Sequence, residues 1–330
     1  MKAVILSEFG GPEKLEIRDI VNPDPSPGEV RLRVRAIGLN RAEVAARVGK
    51  YPLPQALPIR LGYEGAGVVD AVGAGVTNFK VGDRAAVVPI RYDFAVRGTY
   101  AEFCNVPEAL LTPTPADFTD EEAAATWMAY LTVWSAIIVE AKARPGDFVL
   151  VTAASSSLGA PAFQLLRAEG MISIATTRTT SKVSRIQALG ADFVIDTSSE
   201  NLLERITEIT KGHGIDVAFD AVGGPQVKEL AKAMAPRGVL VLYGMLDSRP
   251  LEITPMHLMP KQLTVIGHMV FACLDDPEVR RQGVDYVQRH IRSGAFRPVI
   301  SRTFSFDIIA DAQSYMQSNE QVGKIVVTVP

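Results

Sequence analysis

The chain has few of the residues that build disulfide frameworks and cysteine-rich metal centres. Only 2 of its 330 residues are cysteine, Cys104 and Cys273, and they form no CxxC spacing. A disulfide framework or a thiolate zinc site needs more cysteines at closer spacing. The first residues, Met1-Lys-Ala-Val-Ile-Leu6, have the pattern of a strand rather than that of a secretory leader. These features predict a cytoplasmic protein with reduced thiols.

The chain also has no excess of positive charge. It carries 34 Lys and Arg against 37 Asp and Glu, a net charge of −3, and its basic residues are scattered. Nucleic acids and anionic membrane surfaces attract clustered basic residues, so we expect neither as a partner. The longest charge-free runs, 123–139 and 148–166, contain several hydroxyl side chains. We therefore expect them to form buried core elements rather than membrane spans.

Two patterns divide the chain. Residues 1–118 contain short alternating runs such as Val30–Ala36, which are typical of strands with one wet face. After about residue 120, helical segments alternate with apolar strands, predicted at 147–153, 171–176, 193–196, 215–221, 238–243 and 262–267. This alternation predicts a parallel, doubly wound sheet. A helix near 276–293 and a last strand at 323–329 are expected to rejoin the first part. The predicted domains are thus 1–122 with 269–330, and 123–268.

The first strand of the predicted parallel sheet runs into a turn of very small residues. The segment Ala153-Ala-Ser-Ser-Ser-Leu-Gly159 precedes a helix, and this geometry directs backbone N–H groups toward one spot that suits a pyrophosphate. The turn is not a clean GxGxxG, because Ala154 and Ser156 stand in the first two glycine positions. Small residues at such a turn also serve close packing, so this motif alone leaves both interpretations open. The predicted phosphate ligands are Ser155, Ser156, Ser157, Leu158 and Gly159.

The segment after the second strand indicates which dinucleotide is preferred. Between residues 170 and 191 there is no Asp or Glu, but Arg178, Lys182 and Arg185 are present. An acid in this region usually binds the ribose of NAD, whereas a basic residue suits the 2′-phosphate of NADP. We therefore predict an NADP(H) site with Thr177 and Arg178 beside the ribose. Lys182 is predicted as a further cofactor ligand, although taken alone it is typical of a solvated helix start.

A second turn supports a ligand at the same edge of the sheet. Asp220-Ala-Val-Gly-Gly224 ends the fourth strand, and ligands of doubly wound sheets bind at the carboxyl ends of strands. Val222 and Gly223 are accordingly predicted to contact the cofactor.

Taken together, these motifs resemble the medium-chain dehydrogenase/reductase superfamily, in particular its zinc-free quinone oxidoreductase (zeta-crystallin-like) branch. The resemblance covers nearly the whole chain. It rests on Gly38-Leu-Asn40, Gly49-Lys-Tyr-Pro52, Gly62-Tyr-Glu-Gly-Ala-Gly-Val-Val69, Val81-Gly-Asp-Arg84, Gly98-Thr-Tyr-Ala-Glu-Phe103, Ala153–Gly159, Leu189-Gly-Ala-Asp192, Asp220–Gly224 and Gly323-Lys-Ile-Val326. It implies an α/β protein with a GroES-like β-rich domain, a Rossmann domain, and an active site in the cleft between them.

The departures from zinc-dependent relatives concern the metal ligands. Asn40 stands where those relatives have a Cys, and Tyr63, just before Glu64, stands where they have a His. A catalytic zinc needs three side-chain ligands, and two are missing here. The four histidines have no ligand-like spacing, so we expect no zinc. Hydride delivery without a Lewis acid is easiest to an acceptor that delocalises its own charge, such as a quinone or an enone.

The resemblance also assigns residues to the substrate side. Asn40 matches a substrate-contacting Asn of this branch, and Tyr51 matches a Tyr proposed as proton donor in related enoyl-thioester reductases. Tyr51 is alternatively a packing aromatic beside Pro52. Tyr63 either lines the site or is a buried aromatic. A loop at residues 89–98 is expected to set substrate specificity.

The remaining cofactor positions follow from the resemblance alone. Thr132 matches a Thr near the nicotinamide, Tyr243 and Gly244 fit the wall around the adenosine, and Lys324 lies where the cleft closes. The implied activity is reduction of quinones or α,β-unsaturated carbonyls by direct hydride transfer from NADPH, without zinc or flavin. The alternatives are an enoyl-thioester reductase and a weakly catalytic NADP-binding structural or sensor protein. Relatives are commonly homodimers, and the edge strand near residues 263–267 is the expected pairing site.

Overall fold

The protein was analysed as a computed structural model that describes residues 1–52, 56–89 and 97–330. The chain forms two compact units, residues 1–129 with 297–330 and residues 130–296. The expected specificity loop at 89–98 falls mostly on residues 90–96, which lie outside the described residues.

The elements are numbered in chain order. The first segment contains β1 Lys2–Leu6, β2 Leu15–Asp19, β3 Glu29–Gly38, α1 Arg41–Arg47, β4 Gly65–Val72, β5 Arg84–Val87, β6 Phe103–Pro107, β7 Leu111–Pro113, α2 Asp120–Ala124 and α3 Trp127–Trp134. The middle segment contains β8 Phe148–Val151, α4 Gly159–Ala168, β9 Ile172–Thr177, α5 Val183–Ala188, β10 Phe193–Asp196, α6 Leu202–Ile209, β11 Ile215–Asp220, α7 Val227–Ala233, β12 Met234–Leu242, α8 Pro255–Leu258 and β13 Thr264–Gly267. The last segment contains α9 Val270–Leu274, α10 Pro277–Arg292, β14 Ile300–Ser305, α11 Ile309–Ser318 and β15 Lys324–Thr328.

Shorter helical turns connect these elements. Ser135–Glu140 continues α3 as a π-helical turn. The 3-10 turns are Pro12–Lys14, Glu108–Leu110, Thr180–Lys182, Gly224–Gln226, Met259–Lys261 and Phe306–Ile308.

The first unit is built on a mainly antiparallel sheet. Its strands follow the order β14-β15-β3-β4-β5-β7, and β6 also pairs with β3. In β3 the apolar residues Val30, Leu32 and Val34 are fully buried, whereas Arg33 between them is exposed. Side chains of a strand alternate between faces, so one face of β3 packs on the core and the other carries the arginines. The predicted β-rich GroES-like domain is confirmed.

The second unit is built on a six-stranded parallel sheet of order β10-β9-β8-β11-β12-β13. All five strand pairs are parallel. In chain order this is 3-2-1-4-5-6, the order of dinucleotide-binding doubly wound sheets. Each strand lies within a few residues of its predicted position, because continuous apolar runs bounded by turns identify buried parallel strands well. The Rossmann prediction is confirmed.

The chain returns to the first unit later than predicted. The predicted boundary is residue 269, but the second unit continues through Phe296. In α10 a Cβ on Gly283 would lie 2.7 Å from Cζ3 of Trp134 and 2.9 Å from Cδ2 of Leu131. The bare glycine lets α10 pack closely against α3, and this contact holds the helix in the second unit. Helical periodicity predicted α10 but not the surface that it covers.

Among the residues that the structure describes, one helical stretch has the length and composition to cross a membrane. It runs over residues Asp120–Glu140, and 83% of its most apolar window is buried inside the protein. A core helix of a water-soluble fold has the same composition, so this single stretch is weak support for a membrane span.

Candidate functional site

The serine turn of the second unit has the geometry of a phosphate site. Helix α4 begins at Gly159 without a side-chain cap, because its N-cap residue is Leu158. An uncapped helix start can bind an anion through its first backbone N–H groups. Here the Gly159 N–H donates to the Ser156 carbonyl oxygen at 3.1 Å and Pro161 has no N–H, so the Ala160 amide is the candidate donor of this turn. A Cβ on Gly159 would lie 1.9 Å from the carbonyl oxygen of Ala154. Only glycine fits at this point, as expected of the third glycine in a dinucleotide turn.

Lys182 lies at this turn. Its ammonium donates a hydrogen bond of 3.1 Å to Oγ of Ser155. Ser155, Ser156 and Ser157 are half-buried, and Ala153 before them adopts a left-handed φ of 47°. The structure thus brings a cation to the predicted pyrophosphate position. A solvated helix start does not require this contact.

Arg178 is exposed directly after β9, and two carboxylates that the sequence pattern missed flank the same edge. Asp196 ends the neighbouring strand β10 and accepts hydrogen bonds from Thr180 and Ser198, which lower the pKa of its carboxyl. The Arg249 guanidinium holds the pKa of Asp247 at about 2, and Arg178 adds to this effect. Both acids lie outside the 170–191 window. A search of all strand ends at this edge would have found Asp196.

The predicted ligands Val222 and Gly223 lie in a turn organised by Asp220. The carboxylate of Asp220 is buried and accepts the backbone N–H groups of Val222 and Gly223 at 3.1 and 2.8 Å. It also accepts the hydroxyl of Thr152 at 2.6 Å. Burial raises the pKa of Asp220 despite these donors. Because both amides are committed to this carboxylate, the backbone N–H groups of Val222 and Gly223 are not available to a nucleotide.

The other predicted cofactor residues of this unit lie on two elements. Tyr243 and Gly244 follow β12, and the Tyr243 ring stacks on Phe219 with centroids 3.9 Å apart. Burial raises the pKa of Tyr243 well above that of a free phenol. A Cβ on Gly244 would lie 2.5 Å from the carbonyl oxygen of Ala221, so the two strand ends approach closely. Thr132 is buried in α3.

The predicted substrate-side residue Asn40 belongs to a buried charged group in the first unit. The Lys324 ammonium donates 2.8 Å to Oδ1 of Asn40 and also bonds Oε1 of Glu64. All three residues are at most 5% exposed. Lys324 is predicted beside the cofactor, and in the structure its ammonium bonds Asn40 and Glu64.

The amide of Asn40 is held in one orientation by this group. Its Nδ2 donates to the carbonyl oxygen of Gly38 and to Oε1 of Glu64, both at 3.1 Å. A substrate oxygen at Nδ2 would therefore share a hydrogen with Glu64. The other oxygen of Glu64 accepts the backbone N–H of Met128 at 2.9 Å. The Glu64 carboxylate is thus held in place and accepts a hydrogen bond from the Asn40 amide.

The two candidate tyrosines are neighbours but differ in burial. The rings of Tyr51 and Tyr63 are 6.1 Å apart with their planes tilted by 44°. Tyr63 is 1% exposed, whereas Tyr51 is half-buried. Tyr51 is therefore the more exposed of the two tyrosines, which suits a proton donor better.

The residues at the position of a catalytic zinc do not fit that metal. Within residues 1–52, 56–89 and 97–330, no three His, Cys, Asp or Glu side chains form a group that suits a metal ion. Asn40 and Tyr63 supply neither thiolate nor imidazole, and both Glu64 oxygens are hydrogen-bonded within the protein. Burial raises the pKa of Cys104 to about 12, which disfavours its thiolate.

The sequence pattern did not predict two buried polar groups. In the first unit, the buried carboxylate of Glu43 accepts the backbone N–H groups of Asn40 and Tyr63. In the second unit, His268 lies between Glu140, 2.8 Å from its Nδ1, and Ser135, 3.2 Å from its Nε2. The residues of this second group are at least 128 positions from His268 in the chain, so no local motif identifies them.

Comparisons with known proteins agree with this architecture. Residues 26–116 match the family described as the alcohol dehydrogenase GroES-like domain, and residues 157–288 match the family described as zinc-binding dehydrogenase. A quinone oxidoreductase of Pseudomonas aeruginosa is 34% identical over 328 residues, with 99% of each chain covered.

Solved structures extend the likeness to three dimensions. The NADPH complex of the Escherichia coli quinone oxidoreductase has a TM-score of 0.91 and 26% identity, and the match covers 99% of this chain and 100% of that one. A structure described as an NAD-dependent alcohol dehydrogenase has the same TM-score at 30% identity, with 100% of both chains covered. The protein belongs to the quinone oxidoreductase-like branch of the medium-chain dehydrogenase/reductase superfamily and is an oxidoreductase.

Proposed function

We propose that the protein is an NADPH-dependent reductase of quinones or α,β-unsaturated carbonyls that works by direct hydride transfer, without zinc or flavin. The observation that carries the proposal is the Lys182 ammonium on Ser155 at the uncapped start of α4. A cation, small hydroxyl side chains and a helix N-terminus together suit a pyrophosphate. The quinone oxidoreductases among the relatives support the acceptor class.

The preference for NADPH over NADH rests on residue pattern. Arg178 is an exposed cation at the end of β9, where a 2′-phosphate would lie. The Escherichia coli relative was solved with NADPH, which supports the proposal, whereas another neighbour is described as NAD-dependent. The neighbours therefore do not decide the coenzyme, and Arg178 is the group to test.

Bound NADPH would supply the hydride. The protein has to hold the acceptor oxygen while negative charge develops on it, and Asn40 is suited to this task. The Lys324 ammonium on its Oδ1 polarises the amide and strengthens Nδ2 as a donor. Tyr51, the more exposed phenol, then supplies the proton.

Stopped-flow oxidation of NADPH with 1,2-naphthoquinone and, separately, with a crotonyl thioester tests the proposal. We expect rapid turnover with the quinone and little with the thioester. Preference for the thioester would indicate an enoyl-thioester reductase, and tight NADPH binding without turnover of either would indicate a binding protein. Metal analysis of the active protein completes the test, because stoichiometric zinc that is lost together with activity would contradict it.

We also propose that two copies associate through β13. This strand is at the edge of the parallel sheet, and Thr264, Val265 and Gly267 are exposed. An exposed edge strand with an apolar side chain is a template for pairing with a second copy. We expect a dimer in analytical ultracentrifugation and a monomer for Val265→Arg. A monomeric wild-type protein would contradict this assignment.

A further inference from the structure

Glu43 is a fully buried carboxylate beneath the substrate-side residues of the first unit. It lies in the first turn of α1, and its two oxygens accept three hydrogen bonds. The backbone N–H of Tyr63 donates to Oε1 at 3.0 Å, and the backbone N–H of Asn40 donates to Oε2 at 2.9 Å. The Tyr100 hydroxyl donates to Oε2 at 2.7 Å. One side chain thus joins the backbones of both candidate substrate-side residues.

A directional chain of donors supports this carboxylate. Nε of Arg47 donates to Oε1 of Gln313 at 2.6 Å, and Nε2 of Gln313 donates to the Tyr100 hydroxyl at 3.1 Å. Tyr100 then donates to Glu43. Each donor polarises the next, so the positive charge of Arg47 is transmitted toward the carboxylate. All four side chains are at most 1% exposed.

Opposing forces act on the ionisation of Glu43. Burial raises the pKa of this carboxyl to about 7, whereas the three donors and the nearby Lys324 ammonium favour the carboxylate. The titratable and charged groups that face it are Tyr100, Lys324 on β15 and, through Gln313, Arg47 on α1. Two of its three partners are backbone N–H groups, which cannot accept, and the Tyr100 hydroxyl can accept only by giving up its own donation to Glu43. A protonated Glu43 therefore loses at least one of the three hydrogen bonds that it now accepts. Ionisation therefore controls how firmly Asn40 and Tyr63 are held.

We propose that Glu43 is a positioning residue of this oxidoreductase, and that its ionised carboxylate fixes the backbone of Asn40 and Tyr63 so that Asn40 meets the acceptor oxygen. The inference rests on the proposed function, since it assumes that Asn40 contacts the substrate. Glu43 itself touches neither substrate nor cofactor. It acts through the two backbone N–H groups.

The first test is the pH profile of kcat/KM for quinone reduction by Glu43→Gln. Glutamine keeps the size of the side chain but directs an NH₂ group at a donor. We expect kcat/KM to fall about 10- to 100-fold, as for small misplacements of reacting groups. The wild-type profile should lose activity as the pH falls through about 7, and the variant should lack this acid limb. An acid limb unchanged in Glu43→Gln would overturn the proposal.

Two further variants separate positioning from a general loss of packing. Tyr100→Phe removes one donor but keeps the carboxylate, so the acid limb should move to higher pH. Glu43→Asp keeps the charge and should retain an acid limb. Glu16→Gln, an exposed carboxylate in the same unit, should leave the profile unchanged. An unshifted limb in Tyr100→Phe would contradict the role of this donor chain.

The stability of the fold should fall as the pH rises, whereas kcat/KM should rise with pH. The folded pKa of Glu43 lies above its ordinary value of 4.5, so the folded state binds this proton more tightly than the unfolded state. The contribution to stability is complete below pH 4.5 and is lost as the pH rises to about 7. The Tm of the wild-type protein should therefore fall more over this range than the Tm of Glu43→Gln. Equal slopes would contradict the assignment of the acid limb to Glu43.

Amide hydrogen exchange makes the inference independent of turnover. Asn40 and Tyr63 should exchange slowly in the wild-type protein at pH 8 and faster in Glu43→Gln, while NADPH affinity stays unchanged. If the wild-type protein reduces no acceptor, the proposed function fails, and the exchange data still decide the role of Glu43. Unchanged protection of both amides would overturn that role.

Discussion

The serine turn of the second unit and the Asn40 group of the first unit are built in different ways. The serine turn consists of residues that are adjacent in the chain, with half-buried side chains. It receives one cation, Lys182, from the 3-10 turn that follows β9. The Asn40 group joins Asn40, Glu64 and Lys324 from three distant positions, and it is almost completely buried. Substitutions at the serine turn should therefore change the stability of the protein little. In the Asn40 group, the same side chains contribute to the stability of the fold and position the candidate substrate ligand.

The difference follows from the energetics of charge. Exposed ion pairs contribute little because water and salt screen them. A buried pair is surrounded by a low dielectric, so the removal of one partner leaves an uncompensated charge. We therefore expect substitutions in the Asn40 group to lower the stability of the protein and substitutions at the serine turn to change mainly ligand affinity.

Lys324→Met tests the buried Asn40 group, for which we expect the larger loss of stability. Because Glu64 would be left unpaired, we expect the free energy of unfolding to fall by about 3–5 kcal/mol. Lys228→Met is the matched control in the second unit, where Lys228 and Glu252 are 39% and 49% exposed. It should leave the free energy of unfolding almost unchanged, because exposed ion pairs contribute little. Urea denaturation measures both, and equal losses would remove the distinction between the two units.

If the unpaired Glu64 carboxylate causes the loss of stability in Lys324→Met, a second substitution should restore part of it. Addition of Glu64→Gln to Lys324→Met removes the unpaired charge, so part of the lost stability should return. A double variant less stable than Lys324→Met would contradict the charge argument.

Tyr51→Phe tests whether chemistry depends on the half-buried phenol near this group. We expect kcat to fall about 100-fold or more, because a positioned proton donor contributes on this scale. Tyr315→Phe, a packing tyrosine of the same unit, should leave kcat unchanged. The measurement is steady-state kinetics with a quinone and an enone. If kcat/KM stays unchanged for both acceptors, Tyr51 is not the proton donor.

Arg178→Ala tests the local character of the nucleotide site. Loss of a charged contact to the 2′-phosphate should weaken NADPH binding about 10- to 100-fold and leave NADH binding unchanged. The Tm should change little, because Arg178 is exposed. Lys232→Ala, an exposed cation elsewhere in this unit, should affect neither coenzyme. Calorimetry measures both affinities, and equal losses for NADPH and NADH would remove the 2′-phosphate role.

The sequence predicted the elements of both units better than the contacts between distant residues. The parallel strands were recognised because buried apolar runs recur between helical segments. The return of the chain at Arg297 was not predicted, because it depends on Gly283 packing against Leu131 and Trp134. Asp196 and Asp247 were not predicted, because they follow β10 and β12 and lie outside the segment directly after β9, in which an acid usually indicates NAD.

The sequence by itself determined the fold class, the two-part organisation and the serine turn, because local periodicity and turn residues encode these features within short windows of the chain. Only the tertiary structure decided the partners of Lys324, the fixed orientation of Asn40 and the burial of Glu43 beneath it. These contacts join residues up to 284 positions apart. Their strength depends on exclusion of water by the folded core, which no local pattern of residues specifies.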